Sequence, residues 1–171
     1  MFYSHLCNTK DQLCKLDDIV IAISSDPLAC IVILDASIKN HIATSISHIY
    51  FFNWPIIKTY YQAINVSTTE AELFAIRCGI NQAISILHIK CIIVITDFLH
   101  IAKKIFNSLL HPYQIHSTAI AYELREFFDK DIDNNIKFWD WPSKENWHLY
   151  LAVNKDARSF EASVSFLCKS S

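Results

Sequence analysis

Residues 29–37 read ACIVILDAS, and this stretch decides the fold class. An unbroken apolar run rich in β-branched side chains is typical of a strand that is buried on both faces of a sheet. The run ends at Asp35, although a buried acidic side chain is costly unless it is paired or bound to a metal. The stretch therefore predicts a central strand with a functional carboxylate at its end.

The segments that follow this strand predict a mixed sheet with helices. Apolar and polar residues alternate in the next predicted strand, and later segments show the helical period. In chain order the predicted elements are strands Ile42–Phe52 and Ile56–Ile64, helix Ser67–His88, strand Cys91–Thr96, helices Phe98–Leu110 and Ile115–Phe128, strand Ile136–Trp141 and helix Trp147–Leu167. This order predicts an α/β fold with a mixed five-stranded sheet, in which three antiparallel strands are followed by parallel strands and helices cover both faces.

Composition bounds the domain organisation. The chain has 171 residues, 52% of them hydrophobic and 19% charged, which is enough apolar material for one sizeable core. We expect residues 1–27 to be an N-terminal tether or lead-in, residues 28–167 to form the domain, and residues 168–171 to be a C-terminal tail. Apolar runs fall far short of the roughly 18 residues that span a bilayer, and no signal-peptide pattern is present. We expect an intracellular protein, cytoplasmic or nuclear and not secreted.

Charge and glycine content exclude two classes of binding protein. A formal net charge of −2 argues against a protein that holds nucleic acid by bulk electrostatics, because such binding needs clustered Lys and Arg. The chain has one glycine, Gly79, so the glycine-rich loops that cradle nucleotide phosphates cannot be built. We therefore expect no nucleotide cofactor, and any nucleic-acid partner must be held locally or by an attached domain.

Four carboxylates are the candidate functional residues: Asp35, Glu72, Asp97 and Asp156. Glu70 competes with Glu72. Ser67 to Glu70 fits a capping box, which gives Glu70 a structural explanation, but Thr69 to Glu72 also fits one. The choice therefore stays open, and Glu72 is favoured as the ligand. Asp35 can also be explained as a turn residue and Asp97 as a helix N-cap. Asp156 has the weakest such explanation, because it falls on the apolar stripe of the last predicted helix.

Convergence of the four acids at one end of the sheet would make a metal site. Oxygen ligands of this kind select Mg²⁺ or Mn²⁺ over zinc. Two such ions about 4 Å apart can activate a water molecule and stabilise the leaving oxygen in phosphodiester cleavage. We therefore expect two Mg²⁺ or Mn²⁺ ions as cofactors.

Four stretches of the chain carry a resemblance to a known family. They are Ile33–Ser37, Ser67–Ile76, Ile95–Phe98 and Asn154–Ala157, of which the second is the most specific. In them the chain resembles the ribonuclease H domain, in the form attached to retroelement reverse transcriptases. The order Asp, Glu, Asp, Asp and the interleaved elements match that family over roughly residues 27–160.

The resemblance implies an activity and partners. It implies a ribonuclease H-type hydrolase that cleaves the RNA strand of RNA/DNA hybrids, with an adjoining reverse transcriptase polymerase domain supplying most of the hybrid affinity. Asp35 would bridge both metal ions, while Glu72 and Asp97 would complete the site of the ion at the leaving oxygen. Asp156 would help to hold the ion that carries the nucleophilic water.

The expected contacts to the hybrid depart from the family pattern. Thr68 and Thr69 replace asparagines that are usual in the family. A loop with Lys144 and, later, His148 replaces the usual glycine-containing loop with a histidine before the last aspartate. The residues implied at the substrate are Ser37, Asn40, Thr68, Thr69, Lys144 and His148.

These departures leave an alternative function open. The chain could be a catalytically retired ribonuclease H-like fold that serves as a structural module or as a nucleic-acid or protein interaction module. A related nuclease on the same scaffold, an integrase or a proofreading exonuclease, fits less well. Integrases place the glutamate after the second aspartate, and such exonucleases carry Asp-x-Glu on the first strand.

Overall fold

Six strands form one sheet in the described part of the chain. The computed structural model describes residues 2–6, 18, 21, 25–51, 57–86, 88–97, 114–140, 149 and 151–158. The strands are β1 (Phe2–Leu6), β2 (Ala29–Lys39), β3 (Ile42–Phe51), β4 (Ile57–Ile64), β5 (Cys91–Thr96) and β6 (Asn135–Asp140), in the spatial order β1-β6-β5-β2-β3-β4. Strands β2, β3 and β4 pair antiparallel, whereas β5 is parallel to β2 and β6 is parallel to β5. The predicted mixed sheet of five strands is confirmed in β2 to β6.

Strand β1 was not predicted, because its segment was expected to belong to a tether. It pairs in parallel with β6, with Phe2 beside Ile136 and Leu6 beside Asp140. Five residues carry too short a pattern to indicate a strand. The segment is extended here because it pairs with the open edge that β6 would otherwise leave.

Three helices are described over at least two turns: α1 (Thr68–Ile84), α2 (Gln114–Lys130) and α3, described over residues 151–158. The predicted capping box at the start of α1 is confirmed. The Ser67 side chain accepts a hydrogen bond from the Glu70 backbone, and the Glu70 carboxylate accepts one from the Ser67 backbone. The helix predicted over Phe98–Leu110 and both ends of the one predicted over Trp147–Leu167 lie outside the described residues. No helix in the described part is both long and apolar enough to cross a membrane.

The sheet has a core on each face, as the unbroken apolar run of β2 predicts. Helices α1 and α2 cover one core, which includes Cys30, Val32, Leu34, Leu73, Ile76, Ile80, Ile92, Val94, Ile120, Leu124 and Phe138. Helix α3 covers the other, which includes Ile31, Ile33, Ile46, Ile93, Ile95, Val153 and Ala157. Central strand β2 therefore contributes alternate side chains to both.

Gly79 explains how closely α1 approaches the sheet. A Cβ atom built at this position would lie 2.5 Å from Leu34 Cδ2 and 2.9 Å from Val32 Cγ1, well inside van der Waals contact. Only glycine fits such a close helix-to-strand contact without displacing the core.

Candidate metal centre

The strand register explains why two distant aspartates meet. Strands β2 and β5 are parallel neighbours, and Ile33 lies beside Ile95 in their register. Asp35 and Asp97 each lie two residues further along the chain, so both come to the same edge of the sheet. Parallel strands present their carboxyl ends at one edge, where open α/β sheets commonly hold ligands.

Helix α1 supplies the third carboxylate, Glu72. The start of the helix is fixed to β3 by the Ser45 hydroxyl, which donates a 2.9 Å hydrogen bond to the Ala71 carbonyl. Glu72 follows directly and is 4% exposed. Its Oε2 atom is buried and has no hydrogen-bond partner among the described residues. Glu72, preferred over Glu70 in the sequence, therefore points inward at the end of the sheet.

One carboxylate oxygen from each of Asp35, Glu72 and Asp97 lies within 4.8 Å of the other two. Oxygen atoms on opposite sides of a Mg²⁺ ion are about 4.2 Å apart, given metal–oxygen distances of roughly 2.1 Å. Small side-chain adjustments would thus let the three oxygens share one ion. A buried acidic oxygen without a partner is what a divalent cation would satisfy. The residues present therefore fit a divalent metal.

Electrostatics point in the same direction. Burial, followed by the charges of Asp97 and Asp35, raises the pKa of Glu72 to about 9. Three carboxylates so close together cannot all be ionised at neutral pH without a compensating positive charge. A proton on Glu72 supplies part of that compensation in the protein alone, and a cation would replace it.

Asp156, expected as the fourth acid, does not join this cluster. Its Oδ2 atom lies 2.9 Å from Lys58 Nζ and 2.9 Å from His48 Nε2. The Lys58 ion pair lowers the pKa of Asp156, which is therefore a compensated carboxylate. His48 projects from the same face of the sheet as Asp35. It lies on β3 two residues, or about 7 Å, beyond Ile46, the residue that pairs with Asp35. Three of the four expected acids therefore lie together, and the role of Asp156 as a fourth metal ligand stays a prediction.

The side chain of α3 that reaches the cluster is Asn154. Its amide Nδ2 donates a 3.0 Å hydrogen bond to Asp35 Oδ2. Val153 and Ala157 are the buried residues in the described part of α3. Asn154 and Asp156 flank this ridge on opposite sides, because positions i and i+2 of a helix are about 200° apart around its axis. Sequence analysis missed Asn154 because the acidic residue was preferred. The helical period, counted from Val153 and Ala157, would have identified both flanks.

Four of the six residues expected at the substrate are among the described residues. Ser37 continues β2 beyond Asp35, and Thr68 and Thr69 begin α1. Asn40 has a left-handed φ of 52° in the two-residue turn between β2 and β3, a place for which asparagine is well suited whatever the function. Lys144 and His148 lie outside the described residues.

Comparison with known proteins identifies the fold. No protein-family profile and no curated protein matches the sequence. Among solved structures, ribonuclease H1 from the archaeon Halobacterium salinarum is 11% identical, with a TM-score of 0.55 over 67% of this chain and 86% of that one. At such a low identity, the similarity shows a shared fold and nothing about activity.

Two foamy virus structures resemble this chain with comparable TM-scores. The protease-reverse transcriptase of prototype foamy virus is 16% identical, with a TM-score of 0.58 over 80% of this chain and 21% of that one. A foamy viral protease-reverse transcriptase in complex with dsDNA is 12% identical, with a TM-score of 0.56 over 78% of this chain and 92% of that one. Strand order, helix placement and these likenesses agree that the chain has a ribonuclease H-like fold.

Proposed function

We propose that this chain is a divalent-metal-dependent nuclease of the ribonuclease H type, which hydrolyses the RNA strand of RNA/DNA hybrids. One observation carries the proposal: Asp35, Glu72 and Asp97 bring carboxylate oxygens within 4.8 Å of one another at one edge of the sheet. A divalent cation bound there would polarise a phosphodiester and lower the pKa of a bound water.

The protein's own contribution would be to hold this site in place. Asp35 and Asp97 are fixed by the register of β2 and β5, and Glu72 by the packing of α1 on β3. Rigid elements position ligands more accurately than loops do. Burial of Glu72 also keeps bulk water from the inner side of the cluster.

Hybrid recognition would take place at the exposed rim of the same edge. Thr68 and Thr69 present hydroxyls at the start of α1, and Ser37 lies beyond Asp35 on β2. Hydroxyl groups can bond the 2′-OH and phosphate groups by which RNA duplexes are recognised. Because the net charge is −2, we propose that an adjoining polymerase domain supplies most of the affinity.

Cleavage of a labelled RNA/DNA hybrid tests this function. The wild-type chain should cleave the RNA strand with Mg²⁺ or Mn²⁺ and should not cleave with a chelator. Asp35→Asn should lower the rate by more than about a hundredfold, the upper range for losing a residue that merely supports a metal ligand. Asp133→Asn is the matched control, since Asp133 is exposed at the opposite edge of the sheet. Equal rates for wild type and Asp35→Asn would remove the proposal, and parallel RNA/RNA and DNA/DNA substrates would define the substrate class.

A retired nuclease that acts as an interaction module is the second candidate. It is favoured by α3, where Lys58 compensates Asp156 and an amide, not a carboxylate, contacts Asp35. Calorimetry separates the two functions. A folded chain that binds the hybrid but takes up no Mn²⁺ at millimolar concentration would support the interaction module.

A further inference from the structure

Helix α3 presents two side chains of the same length and different charge, the amide of Asn154 and the carboxylate of Asp156. The buried ridge of Val153 and Ala157 fixes the rotation of the helix, because both belong to the same buried cluster as Ile31, Ile33 and Ile95 of the sheet. With that rotation, Asn154 faces Asp35 and Asp156 faces Lys58. Exchanging them would need the helix to turn about its axis and lift its apolar ridge out of the core.

We propose that Asn154 is the residue of α3 that completes the metal site, so that the site carries three carboxylates and one amide and tightly binds a single divalent cation. This inference deepens the proposed function and rests on it for the identity of the site. Asn154 then positions Asp35 in the protein alone, through its 3.0 Å hydrogen bond, and can offer its own oxygen to a cation.

Charge explains why one ion is preferred. Three ionised carboxylates carry a charge of −3. One divalent ion brings the net charge of the site to −1, and a second would bring it to +1. An amide oxygen can bind a hard cation but adds no charge to the balance. The carboxylate that α3 carries, Asp156, is already paired with Lys58. A second ion would therefore bind weakly until the phosphate of a substrate supplied more negative charge.

Calorimetric titration of Mn²⁺ into the whole chain tests this proposal, with Asn154→Asp and its mirror substitution Asp156→Asn as the paired variants. Wild type should bind one Mn²⁺. Asn154→Asp should add a second Mn²⁺ or bind the first at least about tenfold more tightly, the scale of support-residue effects on metal affinity. Asp156→Asn should bind Mn²⁺ within twofold of wild type.

Thermal unfolding provides a readout that does not depend on activity. Without metal, Asn154→Asp places a carboxylate against Asp35 and should lower the melting temperature. Saturating Mn²⁺ should restore it, and the restoration should exceed the shift that Mn²⁺ gives to wild type. If Asn154→Asp does not fold without metal, refolding in Mn²⁺ replaces this comparison, and the titration of Asp156→Asn still decides the ligand.

Three results would overturn the proposal: two equivalent Mn²⁺ ions in wild type, loss of Mn²⁺ binding in Asp156→Asn, or unchanged binding in Asn154→Asp. The outcome is separable from that of the proposed function. If wild type binds one Mn²⁺ and Asn154→Asp binds Mn²⁺ more tightly, but neither cleaves the hybrid, the nuclease function fails and the assignment of Asn154 stands. If wild type cleaves and Asp156→Asn loses Mn²⁺, the reverse holds.

Discussion

Glu72 should make this protein less stable as the pH rises, and Glu72→Gln should remove that dependence. The pKa of Glu72 is about 9 in the folded protein, whereas the ordinary value is 4.5. Between these values the folded state keeps a proton that the unfolded chain has released, so raising the pH favours unfolding. Each pH unit in this range corresponds to about 1.36 kcal/mol.

The window from pH 7 to pH 8.5 isolates this effect best. Burial lowers the pKa of His48, and whatever this side chain contributes is the same in wild type and in Glu72→Gln, so it cancels in their comparison. Over this window Glu72 alone should cost the wild type about 2 kcal/mol of unfolding free energy. Buried thiols such as Cys30, whose pKa burial raises, contribute equally to every variant and cancel in the comparison.

Urea unfolding followed by circular dichroism, in a chelator at pH 7, 7.5, 8 and 8.5, measures the difference. Glu72→Gln should lose about 2 kcal/mol less than wild type across the series. Glu70→Gln is the matched control on the same helix, since glutamine also serves in a capping box and this variant should keep the wild-type slope. Parallel slopes for wild type and Glu72→Gln would refute the reasoning, because the buried acid would then not hold its proton.

Further outcomes follow from contacts that build the site. Gly79→Ala should lower the unfolding free energy by about 1 to 2 kcal/mol in urea, because crowding against Leu34 outweighs the roughly 1 kcal/mol gain in helix propensity; unchanged stability would show that α1 can move away. Ser45→Ala should cost about 1 to 2 kcal/mol in the same assay and weaken Mn²⁺ binding, since it frees the start of α1. Asn134→Ala should cost a similar amount by removing a buried 2.7 Å bond to an α2 carbonyl, but should leave Mn²⁺ binding unchanged. Mn²⁺ should raise the melting temperature of wild type and not of Asp35→Asn, and equal shifts would mean that the ion binds elsewhere.

Much of the fold could be predicted from the sequence because its elements carry strong local signals. The apolar run of β5 gave its bounds, Cys91–Thr96, directly, and Ser67 with Glu70 marked the start of α1. Strand β1 could not be predicted, since nothing local distinguishes Phe2–Leu6 from a tether. Its extended form depends on pairing with an edge that is built by residues more than a hundred positions later.

The candidate site, like the fold, could be predicted only in part from the sequence. Asp35 and Asp97 were predictable as the acids that end two buried apolar runs, and the parallel register of β2 and β5 brings them together. Asp156 was chosen on an apolar stripe that included residues such as Ala152, which is exposed. A periodic pattern locates the buried ridge of a helix only to within a wide arc, and residues on its two flanks share that arc.

By itself the sequence determined a mixed sheet, a capped helix and four acids as candidate metal ligands, because these depend on patterns within a few residues. Only the tertiary structure decided which side chain of α3 meets Asp35. That choice depends on how Val153 and Ala157 pack against the sheet, which sets the rotation of the helix. With Val153 and Ala157 buried, Asn154 contacts Asp35 on one side of the helix and Asp156 pairs with Lys58 on the other.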